Sequence, residues 1–223
     1  MTRALFFQAI GKVLAGLLLV ALLLFIPAGT LHYRNAWLLI ALLFVPMFLA
    51  GLVMMVKSPA LLKKRLNAKE AEGEQRQVIA LSGIMFTAAF VLAGLNFRFG
   101  WIMMPRWIVW AAAVVFLLAY GLYAEVLREN EYLSRTIEVQ EHQTVVDTGL
   151  YGIVRHPMYA ATLLLFPSMG LILGSPLSFC ILLLYLPLIV KRIRNEEEVL
   201  ERGLEGYTEY KTRVKYRLFP GIW

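Results

Sequence analysis

The sequence predicts an all-α integral membrane protein: a polytopic helical bundle of about six membrane segments, the last two forming a short hairpin, followed by an amphipathic C-terminal helix. Three observations predict this class. Hydrophobic residues make up 60% of the 223-residue chain. Charged residues make up only 17%, against about a quarter in soluble domains. The charges also fall in blocks, and the apolar runs between them are long enough to cross a bilayer core of roughly 30 Å.

The first part of the chain contains four predicted spanning helices. They are Leu5–Ile26, Ala36–Val56, Val78–Phe97 and Trp107–Leu127. The polar connection between the second and third helices contains a further predicted surface helix at Leu61–Ala71. Residues 1–223 are interpreted as one membrane domain, in which residues 1–127 hold these four spans and residues 128–223 hold the longest polar segment, the hairpin and the tail.

The hairpin consists of Met158–Leu173 and Leu177–Val190, with a break at Gly174, Ser175 and Pro176. The tail that follows, from Glu196 to Leu218, has apolar residues at roughly helical spacing, which predicts an amphipathic helix folded back on the membrane face.

The lysines and arginines predict the orientation. Nineteen of the 22 fall on one side of the membrane if the N-terminus is cytoplasmic, and only Arg34, Arg98 and Arg106 fall on the other. Both termini and the polar segment before the hairpin are therefore expected to face the cytoplasm. The net charge of +7 is then explained by orientation and by anionic lipid head groups, so no nucleic-acid partner is expected.

One polar, glycine-containing run, DTGLYGIVRHPMY from Asp147 to Tyr159, leads straight into the hairpin. A hairpin returns the chain to the side that it left. The loop ending in Arg155, His156 and Pro157 and the charged cluster Arg192–Glu198 should therefore meet at one membrane face. We expect the functional site at this meeting point.

The residue types in this run predict a small-ligand site. Pro157 suits the first turn of a helix, and the N-terminus of a helix attracts a carboxylate or phosphate. Gly149 and Gly152 allow the backbone to approach a ligand closely, and Tyr151 between them can stack on a flat ring. Together they favour a molecule with one anionic end and one aromatic end.

The second cluster brings opposite charges onto shared helix faces. Arg192 precedes Glu196 by four residues, and Arg194 precedes Glu198 by four. The carboxylates could accept from an ammonium group or from ribose hydroxyls, and an arginine could bind an anionic group of a second substrate. Each feature alone also occurs in membrane proteins that have no site there. His156 could be an interfacial histidine, Arg192 and Arg194 could be stop-transfer charges, and Glu196–Glu198 could be a solvated face. The residues by themselves therefore predict a small-ligand site facing the cytoplasm.

The succession of RHPMY, a short apolar hairpin, RIRNEEEVL and GYTEYKTRV resembles the isoprenylcysteine carboxyl methyltransferase family and its phospholipid methyltransferase relatives, over residues 143–223. The resemblance implies S-adenosyl-L-methionine as methyl donor, S-adenosyl-L-homocysteine as product, and no metal. The cofactor-binding residues that it implies are Gln143, Thr144, Val145, Val146, Tyr151, His156, Pro157, Met158, Tyr159, Glu196 and Glu197.

The resemblance also implies that an arginine before the glutamates, Arg192 or Arg194, faces the methyl acceptor and is catalytic. We prefer Arg192, because its spacing from Glu196 suits the pattern. The stretch Leu204–Tyr207 is shorter than the usual family sequence, which leaves the register of the glutamates open. Residues 128–223 would then form the catalytic part.

The function implied first is carboxyl (O-) methylation of an isoprenylcysteine-like or other lipidic acceptor, which enters from the bilayer while the donor arrives from the cytoplasm. The alternative is N-methylation of phosphatidylethanolamine. Two further hypotheses are a non-enzymatic transport or assembly protein, and a sterol-type lipid reductase on a related fold. No oligomeric state is predicted.

Overall fold

The computed structural model describes residues 3–66, 73–133 and 137–223, and in these ranges all regular secondary structure is helical. The all-α prediction is therefore confirmed. The elements in chain order are α1 Arg3–Ala28, α2 Arg34–Lys57, α3 Pro59–Leu66, α4 Gly73–Phe99, α5 Arg106–Glu129, a 3₁₀ turn at Gly149–Gly152, α6 Pro157–Ile172, α7 Pro176–Leu182, α8 Tyr185–Gly203 and α9 Tyr207–Arg213.

Five helical segments of the described chain are long and apolar enough to cross a membrane. They are Leu5–Ala28, Arg34–Lys57, Gln75–Phe99, Arg106–Glu129 and Pro176–Gly203. Helix α6 is also apolar but has 16 residues and is about 24 Å long, which is shorter than a typical bilayer core. The predicted spans all fall on helices, and the last one continues through a break after Leu182 into the polar part of α8.

The hairpin prediction is confirmed by contacts at its tip. The hydroxyl of Tyr33, before α2, donates to the carbonyl oxygen of Leu173 at 2.5 Å. The backbone N–H of Met104, before α5, donates to the carbonyl oxygen of Gly174 at 3.2 Å. The α6–α7 turn therefore lies beside the turns that precede α2 and α5. Helix α8 then returns to the opposite end of the bundle, which we call the polar end and which carries residues 130–133, 137–156 and 204–223.

Two glycines let the helices approach backbone to backbone. A Cβ added at Gly170 of α6 would lie 2.4 Å from the backbone nitrogen of Phe179 in α7, and one at Gly94 of α4 would lie 2.6 Å from the carbonyl oxygen of Leu24 in α1. Any larger residue would push these pairs apart. The helices share one apolar core. Its most deeply buried members include Leu39, Phe116, Ile172 and Ile189.

Large apolar side chains also cover the outside of the bundle. Leu18, Val53, Ile84, Trp110 and Leu118 are each more than half exposed. Such a surface is unfavourable in water and is the one expected against lipid tails. The exposed apolar surface and the length of the apolar helices together indicate an integral membrane protein.

The tail differs from the single helix predicted for Glu196–Leu218. Helix α8 ends at Gly203, Gly206 adopts a left-handed conformation with φ +79°, and α9 covers only seven residues. The turn has a packing reason, because it buries Leu204, Tyr207, Tyr210 and Val214 against Val139, Val145 and Leu200. A continuous helix would have carried these side chains past the segment that they cover.

The predicted surface helix Leu61–Ala71 is present in part. Helix α3 covers Pro59–Leu66, and Leu61 and Leu62 are buried beneath it. The remainder of that prediction, from residue 67 onward, lies outside the described residues.

Candidate active site

A cleft opens at the polar end of the bundle, between the segments 130–133 and 137–146, the 3₁₀ turn, the first turn of α6 and the inner faces of α8 and α9. Its volume is about 830 Å³ including the open mouth. The predicted site residues that line it are Gln143, Thr144, Val145, Val146, Tyr151, His156, Met158, Tyr159, Arg192 and Glu196.

The 3₁₀ turn is held over the end of α5 by one carboxylate. The backbone N–H of Leu150 donates to Glu129 Oε2 at 2.9 Å. Gly149 has φ +52°, and a Cβ there would lie 1.5 Å from Glu129 Oε1. The left-handed conformation favours glycine here, and a larger residue would also displace the Glu129 carboxylate that holds the turn.

Tyr151 forms part of the cleft wall as a buried, neutral phenol. Its hydroxyl accepts from Asn130 Nδ2 at 3.0 Å, and its backbone carbonyl accepts from the Tyr210 hydroxyl at 2.7 Å. Burial raises the pKa of both tyrosines far above the ordinary value. These bonds fix the ring that the sequence predicts to stack on a flat ligand.

One wall of the cleft, at Arg155 and His156, belongs to an ion cluster that also contains Glu197 and Arg217. Glu197 is only 3% exposed. Its Oε1 accepts from Arg155 Nε at 2.8 Å and lies 3.2 Å from His156 Nε2, and its Oε2 accepts from Arg217 Nε at 2.9 Å. A buried carboxylate requires such partners, and here it receives three.

The ion cluster ties the C-terminal tail to the RHP motif. The backbone N–H groups of Arg155 and His156 donate to the carbonyl oxygens of Tyr216 and Arg217 at 2.9 and 2.8 Å. The Arg155 side chain also donates to the Val214 carbonyl at 2.6 Å. The entry to α6 is therefore fixed by the end of the chain.

Facing the cleft is a second polar group, the open wall, made of Glu196, Tyr159 and Arg192. The Tyr159 hydroxyl donates to the Glu196 carboxylate and accepts from Arg192 Nε at 2.9 Å. Arg192 Nη1 donates to Gln75 Oε1 of α4 at 3.1 Å. Glu196 keeps 23% of its side chain exposed, and His156 Nδ1 lies 3.9 Å from its Oε1. The open wall therefore offers a charged acceptor and a cation to a ligand in the cleft.

Three predicted site residues do not line the cleft. Pro157 begins α6, as its fixed φ predicts, and is buried beneath the cleft wall. Glu197 uses its oxygens in the ion cluster. Arg194 is exposed on another face of α8, near Lys191 and Glu198, because two residues along a helix turn the side chain by more than half a revolution. Of the two candidate arginines, only Arg192 reaches the cleft.

Several cleft residues were not predicted, among them Tyr207, which is 4% exposed. Its hydroxyl has no hydrogen-bond partner among the residues that the structure describes, and it lies in the cleft wall. Burial raises the pKa of this hydroxyl far above the ordinary value, so it stays a neutral donor. The GYTEY stretch could have indicated Tyr207 as a site residue. A tyrosine on an amphipathic turn can bury its ring and still present its hydroxyl to a ligand.

Comparison with known families decides the class of protein. Residues 107–205 match the family model described as phospholipid methyltransferase. This segment of the chain belongs to that family. It runs from α5 to the end of α8 and contains most of the cleft, whereas α1–α4 and the tail lie outside it. No curated protein matches the chain.

The phospholipid methyltransferase match over residues 107–205 agrees with the family that the motifs predict and supports a membrane methyltransferase. It favours an enzyme over the transport, assembly and reductase hypotheses. The match does not distinguish the carboxyl acceptor from the phospholipid acceptor.

Proposed function

We propose that this chain transfers a methyl group from S-adenosyl-L-methionine to the carboxylate of a lipidic acceptor of the isoprenylcysteine type. The observation that carries the proposal is the open wall, where one arginine lies beside one carboxylate in a cleft at the polar end of the bundle. A cation at this position suits an anionic methyl acceptor.

The residues of the cleft fit the proposed cofactor. Glu196, partly exposed and on the wall, would accept from the ammonium group of the methionine part. The unpartnered Tyr207 hydroxyl would donate to an oxygen of the ligand, which satisfies a group that is otherwise costly to bury. Tyr151 and the neighbouring backbone from Gln143 to Val146 would hold the flat ring. The first turn of α6, at Met158 and Tyr159, would favour the carboxylate end through its dipole.

When bound, the cofactor supplies a methyl group already activated on a sulfonium centre. The protein's part is therefore to orient the acceptor and to exclude water, and orientation can contribute roughly 7–11 kcal/mol of a barrier. Arg192 is suited to this because Tyr159 and Gln75 hold its guanidinium in place. The tail and the segment 137–146 cover the cleft from the water side.

The proposed topology separates the two substrates. The distribution of lysine and arginine supports a cytoplasmic polar end, so that the water-soluble donor enters the open mouth of the cleft. The acceptor keeps its tail in the bilayer and presents its head group between the helix ends. Both termini would face the cytoplasm.

A second candidate is N-methylation of phosphatidylethanolamine, which the description of the matching family favours. An amine acceptor has to lose a proton, and Glu196 with the bonded Tyr159 hydroxyl offers a proton acceptor at the open wall. A carboxylate acceptor has no such need.

One experiment separates the two candidates. The purified chain in detergent is given methyl-labelled S-adenosyl-L-methionine with a prenylated cysteine carboxylate or with phosphatidylethanolamine, and the labelled lipid is treated with base. A methyl ester releases labelled methanol, whereas an N-methyl group keeps the label. We expect base-labile label from the prenylated acceptor, and an exclusively base-stable product on phosphatidylethanolamine would replace the first candidate by the second.

A further inference from the structure

We propose that Tyr207 and Arg155 form a carboxylate subsite in the cleft, which binds the α-carboxylate of the methionine part of S-adenosyl-L-methionine and selects ligands that carry this group. The proposal rests on the proposed function, because it names the part of the proposed cofactor that these two side chains bind. Neither residue is among the cofactor-binding residues that the motifs imply, and Tyr207 lies beyond the segment that matches the methyltransferase family.

The Tyr207 hydroxyl is a donor that needs an acceptor. The side chain lines the cleft and is 4% exposed, and its hydroxyl has no hydrogen-bond partner in the described part of the chain. Burial raises the pKa of this hydroxyl, and the charges of Glu197 and Glu196 raise it further, so the proton stays in place. A buried donor without a partner costs free energy, and an acceptor that arrives with a ligand removes that cost.

Arg155 lines the same cleft, and part of its guanidinium is not engaged. Its Nε donates to Glu197 Oε1 at 2.8 Å, and its Nη1 donates to the carbonyl oxygens of Val214 and Lys215 at 2.6 and 2.9 Å. A guanidinium carries two further N–H donors on Nη2, and no described residue accepts from them. The positive charge of Arg155 also acts on the Tyr207 hydroxyl, which places the two donors near each other.

Glu196 supplies the complementary acceptor. It lines the cleft, keeps 23% of its side chain exposed, and adds its charge to the effect of burial on the pKa of Tyr207. Donors from a phenol and a guanidinium therefore lie near a carboxylate that can accept. The methionine part of the proposed cofactor carries an ammonium group and a carboxylate on one carbon atom, and this arrangement of donors and acceptor matches both.

The carboxylate of the lipidic methyl acceptor is the other possible source of an anionic oxygen for these donors. The proximity of Glu196 favours the cofactor, because a ligand with an ammonium group beside its carboxylate satisfies the donors and the acceptor together. An acceptor whose amine is blocked would satisfy the donors alone. The two sources are separated by removing the carboxylate from the cofactor side only.

A structural role of the Tyr207 hydroxyl, for example a bond to an ordered water, is the competing explanation. Tyr207→Phe keeps the buried ring and removes only the hydroxyl. If the hydroxyl waits for a ligand, the variant without ligand should unfold at the wild-type temperature or above it, because an unpaired buried donor has been removed. Tyr216→Phe is the matched control, because Tyr216 lies in the same tail and is exposed.

The experiment is isothermal titration of the full chain in detergent with S-adenosyl-L-homocysteine and with its decarboxylated analogue, S-adenosyl-3-thiopropylamine. The analogue keeps the adenosine and the ammonium group. For Tyr207→Phe we expect the Kd of S-adenosyl-L-homocysteine to rise about tenfold or more, the effect of losing a hydrogen bond to a charged group. The Kd of the analogue should stay within about twofold of its wild-type value, which excludes a folding defect. Tyr216→Phe should match the wild type with both ligands.

Three results would overturn the proposal while leaving the cofactor in place. They are an equal loss of affinity for both ligands in Tyr207→Phe, an unchanged affinity for S-adenosyl-L-homocysteine, and a lower unfolding temperature of the variant without ligand. In a second arm, the KM of a prenylated cysteine carboxylate is measured at saturating S-adenosyl-L-methionine. A rise in this KM with unchanged affinity for S-adenosyl-L-homocysteine would assign the donors to the methyl acceptor instead.

Failure of the proposed function gives a different pattern. The wild type would then bind neither S-adenosyl-L-homocysteine nor the analogue, and the subsite would fall together with the cofactor. A wild type that binds both ligands with equal affinity contradicts the carboxylate subsite alone, because the carboxylate would then contribute nothing to binding.

Discussion

Glu196 and Glu197 are neighbours in the sequence but belong to two regions with different properties. The ion cluster around Glu197 is buried except for the partly exposed Arg217, and each of its groups is bonded to another part of the chain. The open wall around Glu196 is partly exposed and borders a cleft. His156 lies within 4 Å of both carboxylates, so the two regions share one side chain.

The comparison teaches how a short acidic run can serve two purposes. One carboxylate fixes the geometry of the RHP motif and the tail, and the next one along the helix remains available to a ligand. Consecutive residues on a helix point about 100° apart, so the two side chains cannot face the same wall. Substitutions should therefore affect stability on one side and ligand binding on the other.

The largest effect is expected from Glu197→Gln. It leaves two arginines and a histidine around a neutral amide, and breaking a buried charged pair in this way costs about 3–5 kcal/mol. The thermal unfolding temperature in detergent should fall sharply. A variant with the same unfolding temperature as the wild type would show that the ion cluster does not stabilise the fold.

Glu196→Gln should show the opposite pattern. The fold loses no buried ion pair, so unfolding should change little, whereas affinity for S-adenosyl-L-methionine should fall by about 1.5–3 kcal/mol, the value of a hydrogen bond to a charged group. Isothermal titration measures it. Glu198→Gln is the control, because Glu198 is exposed and pairs with Arg202. Equal affinities in both variants would remove Glu196 from the proposed site.

Arg217→Met tests the tail through the ion cluster. Arg217 is partly exposed, and Arg155 and His156 remain on Glu197, so we expect a loss of about 1 kcal/mol of unfolding free energy. Arg213→Met is the control, because that arginine makes an exposed pair with Asp147 at 2.8 Å. Such pairs contribute about 0–1 kcal/mol. A larger loss for Arg213→Met than for Arg217→Met would show that the tail is held elsewhere.

The smallest effect is expected from Arg194→Ala. Its side chain is exposed on a face of α8 away from the cleft, and substitutions of this kind change stability by about 0.5 kcal/mol or less. Methyl transfer should also be unchanged, whereas Arg192→Ala should lose it. Assays of both variants with the prenylated acceptor check this. Reduced transfer in Arg194→Ala alone would reverse the choice of arginine.

The sequence was sufficient to predict the bundle, the hairpin and the meeting of its two ends. Apolar run length predicts where the chain crosses the membrane, and an even number of crossings returns it to the same side. His156 and Glu197, 41 positions apart, accordingly lie 3.2 Å apart between Nε2 and Oε1.

The division between Glu196 and Glu197 could not be predicted in the same way. It depends on the rotation of α8, which the break after Leu182 resets, and no local pattern reports that angle. The contact between Gln75 and Arg192 joins residues 117 positions apart, and the tail binds Arg155 partly through backbone carbonyls, which any sequence possesses. The turn between Gly203 and Tyr207, with Gly206 in a left-handed conformation, interrupts the tail helix that side-chain spacing predicted.

The central claim is that the cleft lined by residues from 130–133, 137–159 and 192–210 binds S-adenosyl-L-methionine. Ultraviolet cross-linking of the methyl-labelled cofactor to the purified chain, followed by peptide mapping, tests it most directly. We predict label on peptides containing Tyr151, Tyr159 or Tyr207, and competition by unlabelled S-adenosyl-L-homocysteine. Label confined to α1–α3, or labelling that the product does not reduce, would contradict the account.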